Sequence, residues 1–263
     1  EYQMKRADDE ENNKAIPPGK SILVMDNISV SFDGFKALNN LSFIVMAGEM
    51  RAIIGPNGAG KTTMMDVITG KTKPDTGDII FKNSYDLNRL DEPTIANIGI
   101  GRKFQKPSVF ENLTVFENLW LAVKADRRIN KMFNFKVDDF VNDTIYDCLE
   151  TIGLSELNKK MAGSLSHGQK QWLEIGILYV QKPELLLIDE PVAGMTDEET
   201  ETTSSLLKRI SKSQSIVVVE HDMAFIESLD VPVTVLHEGS VLAEGEMTVI
   251  REDERVIEVY LGR

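Results

Sequence analysis

The sequence predicts an α/β fold with a mainly parallel core sheet, an antiparallel β unit in front of it and a helical insertion in its middle. Three observations carry this. Apolar residues alternate with polar ones early in the chain, a glycine-rich loop joins a short apolar strand to a helix, and strands and helices alternate through the last third.

Residues 1–20 combine the acidic run Asp8–Glu11 with Pro17-Pro18-Gly19 and bury almost nothing, which predicts a disordered acidic tail. From residue 21 to 263 the chain reads as a single domain. Ile28, Val30 and Phe32 alternate with Asn27, Ser29 and Ser31, the period of a half-buried strand. Asp33-Gly34 offers the turn, and Leu41, Phe43 and Val45 continue the alternation. Arg51–Ile54 is the short apolar strand, and the helix after it runs from about Gly60 to Thr69, where Gly70 stops it. Thr114 and Glu117 form a capping-box pattern before a helix carrying Leu119, Trp120 and Val123. Val137, Val141, Ile145, Cys148 and Ile152 recur at helical spacing, which makes Cys148 a small core residue. These helices, with the apolar helix Trp172–Val180, make an insertion over about residues 107–180. Strand Leu185–Ile188, helix Asp197–Ile210, strand Ile216–Val219, helix Asp222–Leu229 and strand Val233–Leu236 then form βαβ units.

Composition removes several classes of function. The 263 residues carry a net charge of −13, which argues against a general nucleic-acid binder. No apolar run approaches the roughly 18 residues a membrane span needs. A lone cysteine and a polar, acidic N-terminus without a signal-peptide pattern point to a reducing cytosol. The three histidines, 167, 221 and 237, show no metal-ligand spacing.

The chemistry begins at Gly55-Pro56-Asn57-Gly58-Ala59-Gly60-Lys61-Thr62, which matches G-x-x-x-x-G-K-[ST] between a strand and a helix. Glycines let the backbone wrap a phosphate chain closely, and amides at the helix start point inward. Lys61 is expected on the β- and γ-phosphates, Thr62 on Mg²⁺ and Thr63 on the α-phosphate. The plain alternative is a glycine-rich turn with an exposed lysine. Leu185–Ile188 ends in Asp189-Glu190, so both carboxylates fall at the carboxyl edge of the sheet, beside that loop. Asp189 suits a Mg²⁺ ligand, and Glu190 suits the base that directs water onto the γ-phosphate.

At Leu165-Ser166-His167-Gly168-Gln169 the sequence resembles the signature motif of the ATP-binding-cassette (ABC) ATPases, with His167 in place of the usual first glycine. Leu165 lies 20 residues before Leu185, as in that family. Gln105, in Lys103-Phe104-Gln105, resembles its Q-loop, and His221, in Glu220-His221-Asp222, its switch histidine. The resemblance implies a phosphate-loop ABC cassette that hydrolyses ATP with Mg²⁺, in which Glu190, His221 and Gln105 are catalytic and Thr62, Gln105 and Asp189 serve the metal. It implies that Ser166, His167, Gly168 and Gln169 face the γ-phosphate held by an opposite subunit. Ser166 also reads as a plain helix N-cap. An aromatic residue stacks on adenine in this family, and Phe32 stands at a suitable distance, with Phe35 a competitor and core packing the plain reading. The family's aspartate in the loop after the catalytic glutamate is replaced here by Thr196, in Ala193-Gly194-Met195-Thr196. A capping box with Glu199 explains Thr196 locally, and Asp197 is a possible substitute.

Only 60 residues separate Gln105 from Leu165, which excludes the coiled-coil insertion of DNA-type members. The single cassette and acidic charge speak against translation-type members. A transport ATPase remains. The ending Val259-Tyr260-Leu261-Gly262-Arg263 resembles the branched-chain amino acid importer branch. Within it, the His167 and Met195-Thr196 variants resemble the ATP-binding subunits of urea importers, with an amino acid importer as the alternative. The implied partners are integral-membrane permease subunits, a second ATPase subunit or a second copy of the chain, and, indirectly, a solute-binding protein outside the cell. The implied place is the cytoplasmic face of the inner membrane.

Overall fold

The computed structural model describes residues 17, 19–103, 109–125 and 137–261. Most of the expected acidic tail and the whole of the segment holding Gln105 therefore lie outside the described residues.

Strands β1 (Ser21–Phe32) and β2 (Phe35–Met46) form the expected antiparallel hairpin. Its turn, Asp33-Gly34, has both φ angles positive, at 48° and 86°, the geometry whose twist matches that of the flanking strands. On its other edge β1 pairs with β4 (Thr76–Phe81), and β4 with β5 (Tyr85–Asp86), completing a four-stranded antiparallel sheet.

The second sheet has six strands. These are β3 (Met50–Ile54), β6 (Ile100–Lys103), β7 (Leu185–Asp189), β8 (Ser215–Val219), β9 (Val233–His237) and β10 (Ser240–Gly245), in the spatial order β10-β9-β3-β8-β7-β6. From β9 to β6 all pairings are parallel, and only β10 runs antiparallel at the edge. Consecutive residues of β7 point to opposite faces, and both faces are buried. Leu186 and Ile188 join one hydrophobic cluster, while Leu185 and Leu187 join the other. The second cluster contains the antiparallel sheet and helix α1 (Lys61–Ile68). The remaining helices are the short α2 (Glu92–Asn97), α3 (Val115–Ala125), α4 (Val137–Thr151), α5 (His167–Tyr179), α6 (Asp197–Ile210), α7 (Met223–Leu229), α8 (Met247–Glu252) and α9 (Glu254–Leu261).

Local chemistry sets the helix starts. Thr114 caps α3, with its hydroxyl accepting from the Glu117 amide at 3.1 Å, while the Glu117 carboxylate accepts from the Thr114 amide at 2.7 Å. Ser166 with Gln169 and Thr196 with Glu199 make the same reciprocal box at α5 and α6. Trp172 of α5 donates its indole N–H to Thr203 of α6 at 2.9 Å, fastening the two helices in the core. Cys148 is fully buried between α4 and α5, its Sγ 3.6 Å from the Gly176 carbonyl oxygen. Burial pushes its thiol pKa strongly up. The native protein should therefore resist iodoacetamide at neutral pH and take up one label after denaturation. Mass spectrometry checks this, and rapid native labelling would contradict the core placement. Among the described residues no helix is long and apolar enough to cross a membrane.

Candidate functional site

Strand β3 delivers the chain into Gly55–Gly60, and α1 starts at Lys61. Gly60 has φ +101°, and a Cβ there would lie 2.7 Å from the Ala37 carbonyl oxygen, so the turn has no room for a side chain. Ala59 is buried and packs the loop from beneath, while Asn57, Gly58 and Thr62 face solvent. Lys61 folds back over the loop, and its ammonium donates to the carbonyls of Gly55 at 2.6 Å and Pro56 at 3.0 Å. Partial burial lowers the pKa of this ammonium, and the nearby carboxylates of Glu190 and Asp189 work against that. Electrostatics thus link the phosphate loop to the end of β7.

Asp189 is the buried last residue of β7, and Glu190 follows in the left-handed region at φ 46°. That conformation is costly for a non-glycine residue, and the Glu190 amide is held by the Val219 carbonyl at 2.9 Å. It turns the Glu190 carboxylate toward His221, with Oε1 at 3.6 Å from Nδ1. Burial raises the Asp189 pKa; the Arg102 guanidinium, 3.7 Å away, opposes the rise and adjacent Glu190 adds to it. Arg102 is anchored at 2.5 Å by Asp66 of α1.

Glu220 is a residue that sequence reasoning passed over. It is 1 % exposed and accepts from three backbone amides: His221 at 2.9 Å, Asp222 at 3.3 Å and Val192 at 3.2 Å. It ties the segment after Glu190 to the segment holding His221. Burial raises its pKa, and those amides hold the rise in check. The signal available in sequence was only a charge at the end of an apolar strand.

The residues of the signature pattern form a separate set of contacts. Ser166 caps α5 and donates its hydroxyl to Glu199 at 3.0 Å. Gly168 lies against the same carboxylate, 2.5 Å from where its Cβ would stand. His167 Nε2 is 3.0 Å from the Ala193 carbonyl oxygen, so the N–H tautomer at that nitrogen donates to it. The structure therefore brings Lys61, Asp189, Glu190 and His221 together, and it places Ser166, His167 and Gly168 with the 191–196 loop and α6. Gln105 lies outside the described residues, in the segment that β6 enters. Phe32 and Phe35 are 49 % and 65 % exposed and pair across the hairpin turn. Core packing of Phe32 is thus corrected: the register shifts between Val30 and Ser31, so the alternation with Ile28 and Val30 breaks before Phe32.

A parallel sheet with a glycine-rich loop, a lysine and two carboxylates at its carboxyl edge defines a nucleotide-binding ATPase domain. Comparison with known proteins narrows the class. The family model described as ABC transporter matches residues 38–193, and one described as branched-chain amino acid ATP-binding cassette transporter matches residues 240–263. The chain is 32 % identical over 254 residues to the high-affinity branched-chain amino acid transport ATP-binding protein BraF of Pseudomonas aeruginosa, covering 92 % of this chain and 98 % of that protein. It is 33 % identical over 250 residues to the corresponding protein LivG of Escherichia coli, with the same coverage. The crystal structure of an ABC-transporter cassette in its ADP conformation superposes with a TM-score of 0.79 at 30 % identity, over 92 % of this chain and 99 % of that one. The chain belongs to the ABC transporter family of ATPases.

Proposed function

We propose that the chain is the ATP-hydrolysing subunit of an importer for branched-chain amino acids, working with Mg²⁺ and paired with permease subunits and a second cassette. The observation carrying the cargo is the match of residues 240–263 to the branched-chain cassette model, supported by relatives whose names specify that transport. In this reading residues 21–263 are one ATPase domain, with the helices of residues 107–180 as its insertion.

The residue roles are read from the phosphate-loop and cassette patterns, and the described placement of Lys61, Asp189, Glu190 and His221 supports theirs. Lys61 exchanges its bonds to the Gly55 and Pro56 carbonyls for phosphate oxygens, and the amides of Gly58–Thr63 complete the cradle, with the Thr63 hydroxyl beside the α-phosphate. The Thr62 hydroxyl and the Asp189 carboxylate are hard oxygen donors, few in number, a set that suits Mg²⁺ because that ion takes its other ligands from phosphate and water. When bound, Mg²⁺ neutralises charge on the phosphates. Glu190 orients and deprotonates the attacking water, and His221 beside it contacts the γ-phosphate. Gln105 joins the metal shell and links the site to the permease. Phe32 stacks on adenine. The α5 end, Ser166–Gln169, completes the site of an opposite cassette.

A urea importer is the second reading, and it rests on His167 and the Met195-Thr196 pair alone. Cells whose only copy carries Glu190→Gln decide between the two. Leucine uptake should fall about tenfold or more, with urea uptake intact. Loss of urea uptake alone would transfer the cargo assignment to urea.

A further inference from the structure

A cavity of 440 Å³ opens at the amino ends of β7 and β8, the edge of the sheet opposite the phosphate loop. Cavities of this size hold small molecules. The five residues of β7 put Glu184, which lines it, about 16 Å from Asp189. One wall comes from α4, where Thr144 and Asp147 stand three residues apart on one face. The facing wall is the sheet edge around Glu184, Gln214 and Ser215. Hydrogen bonds fix that wall: the Ser215 amide donates to the Glu184 carbonyl at 3.0 Å, and the Gly48 amide to the Ser215 hydroxyl at 2.9 Å.

Several polar groups of this cavity are left without work in the fold. Gln214 is 6 % exposed, yet its Oε1 has no hydrogen-bond partner, a costly state for a buried amide. Rotation about the terminal bond lets this carboxamide turn either its oxygen or its NH₂ group toward the cavity. Glu184 gives Oε1 to the buried Lys82 ammonium, which leaves Oε2 for another donor. The exposed Lys182 sits at φ 52°, the left-handed conformation that helix ends usually give to glycine. Its ammonium lies 5.4 Å from the centre of the Phe140 ring. Among the described residues no carboxylate pairs with it, and no cation pairs with Asp147.

Unpaired charges of both signs thus surround one cavity whose lining also includes Ile22, Ala47, Val180 and Pro183. An inorganic ion would answer only one sign, and a hydrocarbon would leave the buried amide unmet. We propose that this cavity is a binding site for a small zwitterion with a short apolar body, an amino acid of the leucine type. Its ammonium meets Glu184, Asp147 and the Gln214 carboxamide, its carboxylate meets Lys182, and its side chain lies on Val180 and Pro183. The site belongs to a single chain, so it stands whatever the transported cargo and whichever second cassette joins it.

The test titrates the purified full chain, without nucleotide, with L-leucine, and in parallel with isoamylamine and isocaproate. Each of these two keeps one charge of leucine together with its apolar end. Ligand-observed NMR should show saturable leucine binding with a dissociation constant of about 1 mM or below, and each single-charge probe should bind about tenfold more weakly. Lys182→Gln and Gln214→Leu should each weaken leucine binding about tenfold, and leave affinity for a fluorescent ATP analogue within about twofold. Lys182 is exposed, and leucine at 214 replaces an unmet amide, so both variants should fold, as melting curves will check. Lys61→Ala, at the nucleotide loop, should bind leucine like its parent. Absence of saturable leucine binding up to about 20 mM overturns the site. Equal binding of either single-charge probe overturns the zwitterion, and unchanged leucine binding in either folded variant overturns the assignment to this cavity.

Discussion

Replacing Glu190 with Gln is expected to cut ATP hydrolysis by about two to three orders of magnitude, the size of effect typical for loss of a positioned general base. Nucleotide affinity should stay within about threefold, because the substitution preserves shape and adds no buried group. Glu190 is partly exposed and makes its only described side-chain ion pair with His221 at 3.6 Å, so no packing depends on its charge. Its left-handed backbone, held by the Val219 carbonyl, persists in the variant because that bond is made by the main chain. Removing one carboxylate beside Lys61 also takes negative charge away from the path of incoming phosphates, which favours binding if it changes it at all. Phosphate-release kinetics and titration with a fluorescent ATP analogue separate the two quantities. Full turnover in the variant would remove Glu190 from the chemistry and direct attention to another carboxylate at the same sheet edge.

The parts of this molecule that were legible in its sequence are those whose cause is local. The Asp33-Gly34 turn, the glycine loop from Gly55 to Lys61, the capping boxes at Thr114 and Thr196 and the N-cap at Ser166 each depend on residues within a few positions of one another. The apolar run of β7, closed by Asp189-Glu190, placed two carboxylates beside the loop on sheet geometry alone. Strand β4 escaped because Gly77 and Asp78 interrupt its pattern, and its place in the antiparallel sheet comes from pairing with β1 about fifty residues earlier. Helix α2 is only six residues long and contains Pro93, so periodicity has too little length to register. The buried charges were the hardest to see. Lys103 finds its carboxylate at position 174, and Glu220 gains one of its three amide donors from position 192. Nothing near either residue marks it as buried. The cargo is illegible for another reason: a site built around phosphate oxygens has no side chain that discriminates leucine from urea.

Replacing Lys61 with Ala is expected to weaken ATP and ADP binding by about a hundredfold, since charge-assisted hydrogen bonds to phosphate are lost together with their Coulomb attraction. The fold should survive. Lys61 is the first residue of α1 and partly exposed, and alanine is a good helix former, so the free protein should change by no more than about 1 kcal/mol. The Gly55 and Pro56 carbonyls lose the ammonium that closes the loop over itself, but both bonds are only partly buried, so water can take its place. Binding then shows up as stability. A ligand present at a hundred times its dissociation constant stabilises the native state by about 2.7 kcal/mol, and a hundredfold weaker one at the same concentration by about 0.4 kcal/mol. The ATP-induced rise in melting temperature should therefore nearly vanish in Lys61→Ala and persist in Glu190→Gln. Thermal unfolding of the two variants side by side thus separates phosphate holding from phosphate cleavage with one measurement. A Lys61→Ala chain that keeps the full ATP-induced shift would leave the loop amides and the start of α1 as the whole of the phosphate site.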